Sequence, residues 1–229
     1  MPVKVKWFGH SAFAVSIGGK VFLVDPWLKN PKSPVKDLNL GFEPDYIIVT
    51  HDHGDHIGDT IELLKKYPRA KAVAIFEIAS KIAEELGDPN RVVDGNIGGP
   101  IRLGGGYFVV LTTATHSSIT GTPTGAVFGR EGETVYHAGD TGLTSDMRLI
   151  GELYKPVAAL LPIGGHYTMG PREAAKAAEL IKPKYAIPMH YGTFPVLWGD
   201  PEEFKSEVAR LAPEVKVVIL KPGEEVELE

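Results

Sequence analysis

The chain has 229 residues, no cysteine, and a formal net charge of −5 from 24 Lys and Arg against 29 Asp and Glu. Its length suits one large domain or at most two small ones, and 43% hydrophobic with 23% charged content is ordinary for a globular protein. The composition excludes a disulfide framework and thiolate metal ligands. It offers no apolar run near the ~20 residues that span a bilayer, and its acidic balance argues against nucleic acid.

Residues 3–8 read as a first strand that leads to His10. No signal-peptide pattern precedes it, and with zero cysteine the expected location is the cytoplasm. Residues 12–17 and 21–24 flank Gly18-Gly19, a hairpin signal. The stretch 26–44 contains Pro26, Pro31, Pro34 and Pro44 and predicts a long irregular loop. Loops of that length are usually functional, so it is expected to form a rim around a site, with Trp27 in it. Residues 46–49 are apolar and β-branched, as in a buried strand.

That strand runs directly into Thr50-His51-Asp52-His53-Gly54-Asp55-His56. Three imidazoles and two carboxylates in seven residues are the usual ligand types for divalent transition metals. A His-rich surface loop is the plain alternative, but a loop seated on a strand is a good platform for function. Gly54 offers the freedom to turn back. A helix is expected from about 58–60 onward, within 57–67. His51 and His53 are two apart and would share a side, while Asp55 and His56 would face elsewhere. Two neighbouring metal positions follow.

Further on, 71–74 reads as a strand and 76–86 as a helix, and 87–106 is turn-rich with short strand-like pieces. Strands dominate from 107 to 137. The pattern then alternates: helix 145–154, strand 157–161, helix 172–181 after Pro171, strand 184–188, helix 201–211 and strand 216–220. His116 follows the strand-like 108–111, Asp140 follows 134–135, and His190 follows 184–188. Polar groups beyond the carboxyl ends of strands are how open α/β sheets assemble sites. Singly, each could be a hydrogen-bonded structural residue or a turn former. Beside the first cluster they become candidate ligands. His166, in the glycine-rich 164–170 loop, and His10 are candidates for substrate binding or proton transfer. His137 is expected to brace its loop, and Tyr191 and Thr193 to line a pocket.

Asp25 in Val24-Asp25-Pro26, the His51–His56 run, His116, Asp140 and His190 together resemble the motifs of the metallo-β-lactamase superfamily, in order and across nearly the whole chain. Trp7-Phe8-Gly9-His10-Ser11, residues 136–141 and residues 162–170 resemble its small stand-alone metal-dependent hydrolases, related to ascorbate-phosphate lactonase. The resemblance implies an α+β four-layer αββα sandwich, a single domain over 1–229, with the metal site at one edge between the sheets. It implies that His51, His53 and His116 hold one divalent ion and Asp55, His56 and His190 a second, with Asp140 bridging. Asp25 would orient ligands. Zinc is the default, with manganese, iron or nickel as alternatives. Lacking cysteine, the chain is no close relative of lactamases that use a Cys ligand.

Such a pair of ions ionises water and polarises the group under attack. The expected function is therefore a metal-dependent hydrolase of a small ester, lactone or phosphorylated metabolite, with Asp55, His10 and His166 as candidate catalytic residues. A phosphodiesterase or nuclease, and a metal-binding sensor with little turnover, are the alternatives. The expected partner is a small molecule. A homo-oligomer is compatible with the sequence.

Overall fold

The computed structural model describes residues 2–229. Along the first half of the chain the strands are β1 (Val3–Trp7), β2 (Phe13–Ile17), β3 (Lys20–Val24), β4 (Tyr46–Ile48), β5 (Lys71–Ile75) and β6 (Val92–Gly95). The helices here are α1 (Gly54–Ile57), α2 (Thr60–Lys66) and α3 (Phe76–Leu86). The second half adds β7 (Ile101–Gly104), β8 (Tyr107–Thr113), β9 (Thr124–Arg130), β10 (Glu133–His137), β11 (Ala158–Pro162), β12 (Tyr185–Met189), β13 (Lys216–Val217) and β14 (Glu225–Leu228). Its helices are α4 (Met147–Tyr154), α5 (Pro171–Ile181) and α6 (Pro201–Leu211).

The strands form two seven-stranded mixed sheets, ordered β14-β1-β2-β3-β4-β5-β6 and β13-β12-β11-β10-β9-β8-β7. In each, antiparallel strands give way to a parallel set, β3 to β6 in the first and β10 to β13 in the second. The second sheet shows why the layers stack. Along β11, Ala158 and Leu160 join the core shared by the sheets, while Ala159 and Leu161 pack with α5 and α6 residues such as Ala174 and Phe204. Strands β8, β9 and β10 divide in the same way, with Val109, Phe128 and Val135 inward and Val110, Val127 and Tyr136 outward. Side chains alternate with period two, so a strand apolar at every position needs a partner layer on both faces. The result is the expected α+β sandwich of two sheets flanked by helices. Among the described residues no helix is long and apolar enough to cross a membrane.

Strands β1, β3 and β4 of the first sheet and β8, β10 and β12 of the second deliver their carboxyl ends to one edge. Backbone bonds across the sheets fix that edge: Thr124 N donates to the Thr50 carbonyl at 3.0 Å, and His190 N to the His10 carbonyl at 3.0 Å.

The helix expected from 58–60 is present as α2, starting at Thr60, but an additional helical turn precedes it. The chain enters one helical turn already at Gly54, breaks at Gly58 and resumes as α2 at Thr60. Gly54 does not use the left-handed freedom expected of it; Gly58 does, with φ 45°. A Cβ at Gly58 would come within 2.6 Å of the Trp27 backbone, so only glycine lets the 26–30 loop pass this close. Strand 216–220 shrinks to Lys216–Val217, and helix 145–154 begins two residues later, at Met147. The strand Glu225–Leu228 was not foreseen. Its glutamates alternate with only two apolar residues, the polar pattern of a strand closing a sheet edge.

Phe128 is fully buried between the sheets, with its ring 5.2 Å from that of Phe22. Phe128→Ala should cost about 3–5 kcal/mol of stability, read by urea unfolding. A loss below about 1 kcal/mol would contradict this packing.

Candidate metal centre

Asp25 follows β3 with φ 44° and is fully buried. Its Oδ1 accepts the Thr50 backbone N–H at 2.8 Å. Its Oδ2 accepts the Thr50 hydroxyl at 2.7 Å and lies 2.7 Å from His56 Nδ1. These contacts fix two imidazoles. His56 must carry its proton on Nδ1, which leaves Nε2 as its ligand atom. The Thr50 hydroxyl spends its one hydrogen on Asp25, so at 3.1 Å it can only accept from His51 Nδ1–H. That leaves His51 Nε2 with a lone pair. A carboxylate setting the tautomer of ligating histidines is the usual support for a metal centre.

The side chains meet in three groups whose ligand atoms lie within 4.8 Å of one another: His51, His53 and His116; His51, His56 and Asp140; and His10, Asp55, His56 and His190. The first and third contain the two expected sets, and Asp140 lies where a bridge would. Its Oδ2 is 3.1 Å from His190 Nε2, 3.3 Å from His56 Nε2 and 3.5 Å from His116 Nε2. His10 lies beside the second set, with both ring nitrogens already engaged by Asp55 and Thr193.

The donor set fits cations. Buried His56 Nε2, Asp140 Oδ1 and His190 Nδ1 have no hydrogen-bond partner, and each such group costs about 1–3 kcal/mol unless something satisfies it. Burial and the neighbouring His56 charge push the His51 imidazole down to about 3, and burial also lowers His116. Both are therefore neutral donors at pH 7. Burial opposes charge on His56, but Asp140 and Asp25 outweigh it and hold this imidazole well above its ordinary range. Burial likewise opposes charge on Asp140, yet His56 and His190 hold its carboxyl well below the usual value. The pocket thus demands positive charge between its carboxylates.

The remaining residues position these groups. His10 is pushed down to about 4 by burial, against the pull of its Asp55 hydrogen bond, so it is neutral at pH 7. Its Nε2–H donates to Asp55 Oδ2 at 3.0 Å, and Nδ1 accepts the Thr193 hydroxyl at 3.0 Å. Burial would raise the Asp55 carboxyl, but the His10 bond and His56 charge outweigh it and keep it ionised. His137 braces its loop as expected: Nε2 donates to the Ser11 carbonyl at 2.9 Å, and Nδ1 accepts the Gly139 N–H at 3.1 Å. Trp27 meets the His10 ring edge-on at 5.3 Å, so the 26–44 loop does reach the site. His166 is not drawn into any of the groups. It is exposed, with φ 58°, and packs edge-on against Tyr167 at 4.5 Å. Tyr191 stacks on Trp7 at 5.4 Å instead of lining the cavity.

Asp52 and Thr50 were missed as functional residues. Asp52 Oδ1 accepts the Ser118 hydroxyl and the Ile119 and Thr120 N–H groups at 2.8, 2.8 and 3.0 Å. It pins the loop that carries His116. Its place inside the His-rich run was the only signal, and nothing in sequence separates a brace from a ligand there. Phe194 had no signal beyond its nearness to His190.

Asp25→Asn removes the acceptor that fixes His56, so zinc affinity should fall about 10–100-fold in competition with a chromophoric chelator. Unchanged affinity would contradict the orienting role. In Asp52→Ala the Ile119 and Thr120 amides should exchange at least about tenfold faster with solvent, since both lose their acceptor. Unchanged protection would show that the loop is held by other contacts.

Residues 20–191 match the family described as the β-lactamase superfamily domain. A UPF0173 metal-dependent hydrolase of Staphylothermus marinus is 56% identical over 226 residues, covering 96% of each chain. Its counterpart in Hyperthermus butylicus is 53% identical over 222 residues, covering 96% of this chain and 97% of that one. The structure of Igni18, a metallo hydrolase from the hyperthermophilic archaeon Ignicoccus hospitalis, superposes with a TM-score of 0.94 at 45% identity, covering 100% of this chain and 99% of that one. The chain therefore belongs to the β-lactamase superfamily, among its UPF0173 metal-dependent hydrolases.

Proposed function

We propose that the protein hydrolyses a small ester, lactone or phosphorylated metabolite at a two-ion centre, with residues 1–229 acting as one domain. One ion would be held by His51, His53 and His116, the other by Asp55, His56 and His190, with Asp140 shared. The observation that carries this reading is the position of Asp140 Oδ2, within 3.1–3.5 Å of imidazole nitrogens from both sets. Imidazole-rich sites favour zinc, and the carboxylates also suit manganese, iron or nickel. Two such ions would lower the pKa of a water between them toward about 7 and polarise the carbonyl or phosphoryl oxygen under attack.

The chain's own residues do the rest. Asp55 lines the cavity, and its Oδ2 is engaged by His10, which leaves Oδ1 for the reaction. An ionised carboxylate there takes a proton from the attacking water and returns it to the leaving oxygen. In ester cleavage the water oxygen bonds to the acyl carbon, the acyl carbon–oxygen bond breaks, and the alcohol departs with that proton. Thr193 and His10 keep Asp55 aimed. His166, being exposed, is left to act through Tyr167.

Purified protein should carry about two zinc equivalents per chain by elemental analysis. It should turn over members of a panel of chromogenic esters, lactones and phosphate esters. His51→Ala and Asp140→Ala should each lose at least about 10²-fold in kcat while retaining the native circular dichroism spectrum. Metal bound without turnover across the panel would favour a sensor, and full activity in both variants would refute the assignment.

A further inference from the structure

The cavity that opens onto the ligand groups has a character the metal chemistry does not require. Its volume is about 260 Å³, just below the ~300–1,000 Å³ typical of drug-sized ligand sites. Beyond the histidines and aspartates already described, its walls are Ser117, Tyr167 and Phe194. Phe194 is backed by Trp27, the rings stacking at 5.9 Å and 21°. Its ring also meets His10 edge-on at 5.6 Å. Tyr167 is backed by His166. Two aromatic side chains therefore face the cavity, each propped by another ring.

No Lys or Arg lines it. Lys29 is engaged by Asp59 and Glu62, and Lys81 by Asp52. Lys32 approaches the backbone at Gly192 but is not one of the walls. Sites for phosphate or carboxylate groups ordinarily present a guanidinium or ammonium. Among the described residues, the walls beside the candidate ion ligands are the Ser117 hydroxyl, the Tyr167 phenol and the Phe194 ring, which suit an uncharged ring or alkyl chain.

We infer that this cavity seats an uncharged aryl or short alkyl group, so that the substrate is a neutral carbonyl ester with an apolar half lying against Phe194 and Tyr167. This rests on the hydrolase reading above and narrows it away from phosphorylated metabolites. Phe194 and Tyr167 set specificity, and Trp27 positions Phe194.

Binding can be read without turnover. The ketone 4-phenyl-2-butanone matches benzyl acetate with the ester oxygen replaced by methylene, and cannot be hydrolysed. Titrated calorimetrically against the zinc-loaded protein, it should bind at least about tenfold more tightly than the same ketone bearing a ring para-carboxylate. Phe194→Ala should weaken the neutral ketone by at least about tenfold, with Phe194→Leu intermediate and Phe194→Tyr close to the parent. Equal binding of the charged ketone, or no loss in Phe194→Ala, would overturn the inference. The same protein assayed on benzyl acetate separates the two readings. Preference for the neutral ketone without any ester turnover would uphold the apolar seat and remove the hydrolase reading. Turnover without the preference would do the opposite.

Discussion

A buried imidazole between two buried carboxylates is the constraint on which the rest of the site depends. His56 has Asp25 Oδ2 at 2.7 Å on its Nδ1 side and Asp140 Oδ2 at 3.3 Å on its Nε2 side. All three side chains are essentially inaccessible. Carboxylates removed from water cost several kcal/mol each unless positive charge or hydrogen bonds repay them. Asp25 is repaid by Thr50 and His56. Asp140 has one oxygen with no hydrogen bond and the other surrounded by three imidazole nitrogens. The charge on His56 offsets these carboxylates, and cations held between the same groups would take over that role.

The fold exists in this form because both sheets must meet at that point. β3 and β4 supply Asp25 and the His51–His56 run from the first sheet, while β8, β10 and β12 supply His116, Asp140 and His190 from the second. Cross-sheet hydrogen bonds at Thr50, His10 and Ser11 hold the two edges in register within the site itself. At Gly139 (φ 62°) a Cβ would run into the Thr124 carbonyl and the Thr50 side chain. The loop that delivers Asp140 can therefore pass between the sheets only with glycine there. Binding geometry and sheet packing are thus set by the same few contacts.

Much of this was readable in the sequence because strands announce themselves by apolar runs, and the candidate ligands sit just past their ends. The His51–His56 run, His116, Asp140 and His190 stand out in the sequence for that reason. The helical turn at Gly54 does not. Four residues carry no periodicity, and the turn ends at Gly58, where the Trp27 backbone passes close by. Nor could the division of labour within the run be read. Asp52 and Asp55 are the same residue type three positions apart, yet one pins a loop at 116–120 and the other faces the cavity. β14 was invisible because a strand of alternating glutamates resembles a solvated tail until a neighbouring strand pairs with it.

The sharing of Asp140 by two ions can be read from crystals grown with excess zinc and measured at its absorption edge. Two anomalous peaks are expected, one within about 2.0–2.2 Å of His51, His53 and His116, the other equally close to Asp55, His56 and His190, with an Asp140 oxygen reaching both. A single peak at full zinc loading, or peaks away from Asp140, would contradict it.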